Sequence, residues 1–362
     1  MNARRFSHWR RARITIDANA LAHNLKCVRE FVSGAKVMAV IKADAYGHGM
    51  SFAAEAFSDA DMFAVAMPEE AYALRSDGVE KPIIVLQGFI NSSELQRFSD
   101  LGISTVVHQR SQLDALMAAS LTSPIDAWLK VDTGMNRLGI KLAEVDDYFG
   151  LLRNCGNVSK VYLMSHFSNA DDINKATNNN ELESFIKVTN DIDVDCSMAN
   201  SAAVIGMPAS HFEVVRPGIM LYGSSPIAER TAVQLGLHAA MQFESVLMDI
   251  RLLKAGDSIG YGSTFTAEKD MRIGIVAAGY ADGYPRHAKN GTPVWINDQR
   301  CNLVGRVSMD SICIDLADTP AALDDRVVLW GNELSVDEVA HNSDSISYEL
   351  LCNAGAASFV GS

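Results

Sequence analysis

No stretch of about 18 or more apolar residues occurs in this chain of 362 residues, so the sequence predicts no transmembrane helix. Positive charge is also scarce, because 31 Lys and Arg stand against 44 Asp and Glu and leave a formal net charge of −13. Nucleic acids and anionic membranes bind basic surfaces. We therefore expect neither a nucleic-acid partner nor a membrane partner.

Cysteine pairs and glycine-rich phosphate loops are missing as well. The chain has six Cys but no C-x-x-C pair, no zinc-type spacing, no H-E-x-x-H, no G-x-G-x-x-G and no G-x-x-x-x-G-K-[ST]. These absences disfavour a metal site and classical dinucleotide or Walker-type phosphate binding. Most of the cysteines sit in apolar segments, which favours buried, reduced thiols in a cytoplasmic protein. They are Cys27, Cys155, Cys196, Cys301, Cys313 and Cys352.

Basic residues are concentrated at the N-terminus, where MNARRFSHWRRAR holds five Arg in thirteen residues. This segment has no apolar core of the kind that a secretory signal needs. We expect residues 1–12 to form an exposed basic arm.

From residue 36 onward, short apolar runs alternate with amphipathic stretches at a spacing of roughly 20–30 residues. Near-continuous apolar strands separated by helices indicate a parallel sheet. Eight such runs favour a closed (β/α)8 TIM-like barrel over an open doubly wound sheet. The strand candidates are 36–42, 61–67, 82–87, 103–107, 125–131, 160–165, 193–197 and 213–221.

After residue 234 the pattern changes to short β-rich segments broken by Gly, Asp and Asn, which predicts a mostly antiparallel β domain. We therefore divide the chain into the arm, a barrel over 13–234 and a β-rich C-terminal domain over 235–362. The segment Arg13–Asp17 is a strand candidate that can join either domain.

Polar side chains end most of the candidate barrel strands, and the chemistry of a parallel barrel lies at those carboxyl ends. A single polar strand end is more often structural, but several that face one mouth indicate a site. They are Lys42 with Tyr46, Lys130 with Asp132 and Arg137, His166, Asn200 with Ser201, and Arg216 with Gly218, Ile219 and Tyr222.

The segment AVIKADAYGHG ends an apolar strand in Lys42. Burial of an ammonium group is costly, so the position of a lysine at the end of an apolar strand has to be explained. Either it forms a salt bridge or extends its amine to water, or the amine is desolvated so that it is neutral and attacks a carbonyl. The segment alone leaves both open.

The strand ends together suit one cofactor. Lys42 supplies an amine, and Arg137 and Arg216 are fixed cations for a carboxylate, a phosphate or an aromatic nitrogen. No acidic residue stands out as the partner of a pyridinium nitrogen. Hydroxyl and backbone N–H groups that can hold a phosphate belong to Tyr46, Ser201, Gly218 and Ile219. This set predicts pyridoxal phosphate bound at Lys42.

In the second domain, SIGYGSTF places Tyr261 between two glycines. This tyrosine is either a surface residue of a hairpin turn or a phenol presented where the backbone must approach a ligand closely.

Nine motifs in family order resemble those of the alanine racemases, which are fold-type III pyridoxal phosphate enzymes, and they span most of the chain. They are AVIKADAYGHG (39–49), LKVDTGMNRLG (129–139), MSHFSNAD (164–171), SMANSAA (197–203), RPGIMLYG (216–223), IGYGSTF (259–265), GYADGYPR (279–286), GRVSMD (305–310) and SYELLC (347–352).

The resemblance implies a cytoplasmic homodimer with shared active sites that interconverts L-alanine and D-alanine and supplies D-alanine for peptidoglycan. It implies that Lys42 is the Schiff-base lysine and the base on the D-side of the substrate. Tyr261 is then the base on the L-side, reaching in from the other subunit.

The resemblance also implies roles for the remaining site residues. Arg216 donates to the pyridine nitrogen, and His166 bonds Arg216. Arg137 and the backbone N–H of Met309 hold the substrate carboxylate. The residues that hold the phosphate are Tyr46, Ser201, Gly218, Ile219 and Tyr348. Asp310 and Lys130 are supporting residues, and Lys130 stands where many members carry a carbamylated lysine. The entry corridor is lined by Asp171, Tyr280, Arg286, Arg306 and Ile346.

Three other functions stay open at this point. The chain could be a racemase of the same fold that acts on serine or on a broader range of amino acids. A fold-type III decarboxylase is disfavoured because the GYGST tyrosine stands where those enzymes carry different, cysteine-based chemistry. A non-catalytic, single-barrel cofactor carrier is disfavoured by the β-rich second domain.

Overall fold

Eight parallel strands form a barrel in the computed structural model, which describes residues 10–354 and 358–361. The strand β1 (Arg13–Ile16) precedes the barrel, whose strands are β2 (Lys36–Val40), β3 (Met62–Val65), β4 (Ile83–Val85), β5 (Ile103–Val107), β6 (Ile125–Lys130), β7 (Val158–Met164), β8 (Cys196–Asn200) and β9 (Val214–Arg216). Each strand pairs with the next, and β2 pairs with β9 to close the ring, so the predicted barrel is confirmed.

Helices lie between these strands and near the end of the chain. They are α1 (Ala18–Phe31), α2 (Lys42–Gly47), α3 (Met50–Ala56), α4 (Pro68–Ser76), α5 (Glu94–Leu101), α6 (Arg110–Ala118), α7 (Val145–Arg153), α8 (Ala176–Thr189), α9 (Ser201–Gly206), α10 (Val336–His341) and α11 (Ser347–Asn353). Short 3-10 turns occur at Leu142–Glu144, Pro208–Ser210, Ile219–Tyr222, Val233–Leu235, Tyr261–Ser263 and Tyr280–Asp282. No helix of the described residues is long and apolar enough to cross a membrane.

Local sequence explains where several elements begin and end. The carboxylate of Asp17 accepts hydrogen bonds from the backbone N–H groups of Asn19 and Ala20 and so caps α1. Pro68 begins α4, where a missing N–H costs no hydrogen bond. Gly102, with φ +58°, ends α5 in the left-handed conformation.

Two strand predictions need correction. The strand expected over 213–221 ends at Arg216, because Pro217 cannot donate to a ladder and the following residues, Ile219–Tyr222, form a 3-10 turn. The strand expected over 193–197 lies later, at Cys196–Asn200.

The last third of the chain forms a mostly antiparallel sheet, as predicted. Its strands are β10 (Met241–Leu253), β11 (Ser258–Ile259), β12 (Phe265–Thr266), β13 (Met271–Val276), β14 (Pro293–Ile296), β15 (Gln299–Leu303), β16 (Ile312–Asp315), β17 (Arg326–Trp330) and β18 (Ser358–Gly361), of which β11 and β12 pair separately as a hairpin. Because β10 pairs with both β13 and β17, the strands β10, β13, β16, β15, β14 and β17 form a closed ring.

The strand β1 belongs to this second sheet. Its residues Arg13–Ile16 pair antiparallel with Met241–Glu244 of β10 and parallel with β18. The first strand of the chain is therefore attached to the β domain, and α1 carries the chain from there to the barrel.

The C-terminal helix α11 packs on the turn that follows the first barrel strand. Gly47, at the end of α2, has φ +80°, and a Cβ at this position would lie 2.3 Å from the carbonyl oxygen of Leu351. The close approach seats α11, and with it Tyr348, at the carboxyl end of the barrel.

We expect Gly47→Ala to destabilise the protein more than Gly78→Ala. Both glycines have similar positive φ, but a Cβ on Gly78 meets nothing within 4 Å. Left-handed backbone costs both variants about 1–2 kcal/mol, and overpacking adds about 1–3 kcal/mol at Gly47 alone. Thermal unfolding of the two variants measures the difference. Equal melting temperatures would contradict the tight seat for α11.

Candidate active site

A cavity of about 460 Å³ opens at the carboxyl ends of the barrel strands. In the part of the chain that the structure describes, no carboxylate lines it. The lining residues are Val40, Lys42, Ala43, Tyr46, Ala66, Leu86, Gln87, Lys130, Arg137, Leu138, Met164, His166, Asn200, Ser201, Arg216, Gly218, Ile219, Tyr348 and Cys352. The predicted cofactor residues therefore converge on one space, together with Arg137 and Lys130.

The turn after β2 holds Lys42 in an unusual backbone conformation. Ala43, Asp44, Ala45 and Tyr46 all have φ between +51° and +55°, so α2 is a left-handed turn. Such a conformation costs about 1–2 kcal/mol per residue for side chains with a Cβ. Nothing in the local sequence predicts it, since three of these residues lack the short polar side chain that favours left-handed backbone.

Two carboxylates stabilise this turn, one from helix α4 and one from the turn itself. Glu70 accepts a hydrogen bond from the backbone N–H of Ala43 at 2.6 Å, and Asp44 accepts one from the N–H of Met50 at 2.7 Å. Hydrogen bonds to ionised acceptors are stronger than neutral ones. They offset part of the backbone strain and fix the direction in which Lys42 leaves the strand.

Positive charge and burial together favour the neutral form of the two lysines in the cavity. Burial, followed by the charge of Arg137, lowers the pKa of Lys42. Burial, followed by the charge of Arg216, lowers the pKa of Lys130 to about 7. The desolvated alternative for Lys42 is therefore the one that the structure supports.

Arg216 is buried and makes all of its described hydrogen bonds to neutral groups. It donates to Ser197 Oγ at 2.6 Å, to the carbonyl oxygen of Ser165, to that of Met198 at 3.3 Å, and lies 3.3 Å from His166 Nδ1. Burial lowers the pKa of Arg216 to about 10, which still leaves it charged at neutral pH.

His166 completes this arrangement as a neutral partner. Burial, followed by the charge of Arg216, holds the pKa of His166 well below its ordinary value. The ring is then uncharged at neutral pH, and its Nδ1 can accept from Arg216.

A hydroxyl and backbone cradle also lines the cavity. Ser201 Oγ accepts from the N–H of Gly218 at 2.8 Å and from that of Met220 at 3.4 Å. A Cβ on Gly218 would lie 2.5 Å from the hydroxyl oxygen of Tyr46, so only glycine leaves this space open. Tyr348 lies close to Tyr46, with ring centroids 5.9 Å apart.

Apart from Tyr348, the predicted residues of the second domain do not line the cavity of their own chain. Tyr261 lies on the loop between β11 and β12 and is 69% exposed, and Met309 is 53% exposed. Arg286 and Arg306 line a separate cavity on the β domain. The other predicted residues outside the barrel cavity are Asp171, Tyr280, Asp310 and Ile346.

Several cavity residues were not predicted as site residues. Gln87 stands just after β4, so reading that strand end would have found it. Cys352 corrects the expectation of buried thiols, because it is exposed and lines the cavity while Leu351 beside it packs inward. All six cysteines are free.

Two family models match the chain: alanine racemase, N-terminal domain, over residues 16–226 and alanine racemase, C-terminal domain, over residues 240–358. The alanine racemase of Vibrio cholerae serotype O1 is 46% identical over 340 residues, which cover 93% of this chain and 94% of that relative. The alanine racemase of Vibrio parahaemolyticus serotype O3:K6 is 44% identical over 342 residues, which cover 94% and 96%.

Solved structures agree with these matches. The crystal structure of the biosynthetic alanine racemase from Pseudomonas aeruginosa has a TM-score of 0.95 and 42% identity, over 98% of this chain and 99% of that one. The alanine racemase from Bartonella henselae, solved with covalently bound pyridoxal phosphate, has a TM-score of 0.86 and 29% identity, over 97% and 99%.

We expect the free energy of unfolding of Lys130→Met to increase relative to that of the parent protein as the pH falls from 9 to 7. The folded state holds the pKa of Lys130 near 7, below its ordinary value of 10.5, so between these values the unfolded chain is protonated there and the folded chain is largely not. The parent therefore loses about 1.4 kcal/mol per pH unit that the variant does not lose. Denaturant unfolding across this range, in buffers free of CO₂, measures it. A difference that does not change with pH would contradict a neutral, buried Lys130.

Proposed function

This chain belongs to the alanine racemase family, which interconverts L-alanine and D-alanine, and we propose that Lys42 and Tyr261 are the two bases that carry the reaction here. The enzyme is an isomerase that depends on pyridoxal phosphate. We assign it to the supply of D-alanine for peptidoglycan in the cytoplasm. The observation that carries the proposal is a barrel mouth that combines a desolvated lysine with two arginines and no lining carboxylate.

The described residues fit pyridoxal phosphate. Lys42 is placed to bind its aldehyde, and Arg216 to donate to its ring nitrogen. The space that a Cβ on Gly218 would fill suits a phosphate. The groups proposed to hold that phosphate belong to Tyr46, Ser201, Gly218, Ile219 and Tyr348. When bound, pyridoxal phosphate makes the Cα proton of the substrate acidic by drawing electrons from Cα.

Racemisation then needs a proton removed on one face of Cα and returned on the other. One fixed side chain cannot serve both faces, so two groups act as base and conjugate acid in turn. We assign the D-side to Nζ of Lys42, because burial and the charge of Arg137 lower its pKa and so favour the neutral amine, which can accept a proton. We assign the L-side to the phenol oxygen of Tyr261.

Arg216 limits how strongly the bound cofactor would withdraw electrons. A guanidinium remains charged at neutral pH and can only donate, so it leaves the pyridine nitrogen without a proton. His166 and the carbonyl groups around Arg216 hold the guanidinium in place without neutralising it. This weaker electron withdrawal favours return of the proton to Cα over transamination.

The substrate carboxylate is proposed to bind Arg137 from the barrel and the backbone N–H of Met309 from a second subunit. The exposure of Tyr261 and Met309 supports a homodimer in which each subunit completes its partner's site. Asp171, Tyr280, Arg286, Arg306 and Ile346 are proposed to line the entry corridor, with Lys130 and Asp310 in supporting roles.

We expect Tyr261→Phe to block inversion but to retain proton exchange on one face. Loss of the phenol removes one acid–base group, which lowers kcat for racemisation on the order of 10²- to 10⁴-fold. In D₂O, Lys42 still exchanges the Cα proton of D-alanine without inversion, whereas L-alanine keeps its proton. Proton NMR and chiral analysis report both reactions, with Tyr162→Phe, on barrel strand β7, as the matched control. Exchange of L-alanine in the Tyr261 variant would reverse the assignment.

We expect two inactive variants to regain activity when they are mixed. In a heterodimer of Lys42→Ala and Tyr261→Phe subunits, one site has lost both bases and the other keeps both. Random exchange of subunits restores about a quarter of the parent activity if each site is shared across a two-fold dimer. Co-refolding of the two variants followed by a racemase assay measures it. Lys42→Ala mixed with Lys42→Arg is the control, since both lesions then lie on the barrel side. Activity no higher than that control would show that the two bases belong to one chain.

A further inference from the structure

The last part of the basic arm reaches the second domain. Arg10 donates through Nε to Asp282 Oδ1, through Nη2 to Asp282 Oδ2 at 2.7 Å, and through Nη2 to Asp310 Oδ1 at 2.9 Å. One guanidinium therefore joins two carboxylates that lie 28 residues apart in the sequence (310 − 282). The pairing with Asp282 is bidentate, which fixes direction as well as distance.

Asp282 is the interior end of this contact. Its side chain is fully buried, and it also accepts from the backbone N–H of Gly279 at 2.9 Å. Burial of an ionised carboxylate is costly unless a cation pairs with it. Removal of the cation therefore destabilises the folded protein. Within the described residues, the ion pair recorded for Asp282 is the one with Arg10.

The turn that contains Asp282 holds the segment that contains Met309. Tyr280 N–H donates to the carbonyl oxygen of Ser308 at 3.1 Å, and Ala281 N–H donates to that of Met309 at 3.0 Å. A Cβ on Gly279 would lie 2.3 Å from both carbonyl oxygens. The two segments are thus packed backbone against backbone, and Arg10 joins them a second time through Asp282 and Asp310.

We propose that Arg10 is a positioning residue that locks the segment 308–310 onto the turn 279–284 and so fixes the Met309 N–H offered to the substrate carboxylate. This inference rests on the proposed function of Met309. It gives the arm a role in the reaction: each subunit's Arg10 acts on the site of its partner, because Met309 is proposed to serve that site.

The proposed role of Arg10 predicts a change in KM rather than in kcat. A carboxylate that does not react is bound equally in the ground state and the transition state, so a weaker Met309 contact raises KM and leaves kcat nearly unchanged. We expect Arg10→Ala to raise KM for both alanine enantiomers about tenfold, the scale of one hydrogen bond to a charged group. Arg10→Lys, which keeps one charge, should recover part of this. Arg11→Ala, at the exposed neighbouring position, is the matched control.

Heterodimers separate this role from a general loss of structure. In the mixture of Lys42→Ala and Tyr261→Phe subunits, the working site takes Met309 from the Lys42→Ala subunit. Arg10→Ala placed on that subunit should raise KM, and on the Tyr261→Phe subunit it should leave KM unchanged. Equal effects from both placements would overturn the positioning role.

Hydrogen exchange of the segment 305–311 in the holoenzyme tests the lock without reference to catalysis. Faster exchange in Arg10→Ala than in Arg11→Ala supports it, and equal exchange overturns it, whether or not the enzyme racemises alanine. Absence of racemisation by the parent protein would instead overturn the proposed function, so the two failures are distinguishable.

Discussion

Withdrawal of cationic side chains from water at the barrel mouth is the constraint on which the site depends. Lys42, Lys130 and Arg216 stand around one cavity, and burial is the first cause of the lowered pKa of each. Neighbouring charges add to the effect on the two lysines, from Arg137 on Lys42 and from Arg216 on Lys130, and no carboxylate lines the cavity in the described chain. Such a space favours anionic ligands and a neutral amine at once, which is what a pyridoxal phosphate enzyme requires.

The two domains divide the chemistry. The barrel holds Lys42 and the proposed cofactor contacts other than Tyr348 at its strand ends, whose positions are defined by the closed sheet. The β domain presents Tyr261 and Met309 on exposed loops, away from the cavity of their own chain. The two bases that approach the planar reaction centre from opposite faces can therefore come from two different surfaces. Neither surface has to bury the charged groups of the other.

Much of this could be predicted from local sequence. The eight apolar runs predict the barrel, because strands covered on both faces must be apolar along their length. The strand ends then predict Lys42, Lys130, His166 and Arg216 as neighbours, since parallel strands end at one edge. The prediction of local structure was wrong where the backbone conformation departs from the propensities of the residues. The run 213–221 ends early at Pro217, and the left-handed turn over Ala43–Tyr46 has no signal in its residue types.

By itself, the sequence determined the fold class, the family and the residues that meet at the barrel mouth, because periodicity and motif order are properties of the chain. Only the tertiary structure decided the state of Lys42, since its pKa depends on burial and on Arg137 across the cavity. It likewise assigned β1 to the second sheet and brought Arg10 to Asp282. Such pairings join residues far apart in the chain, so they form only when folding brings those residues together.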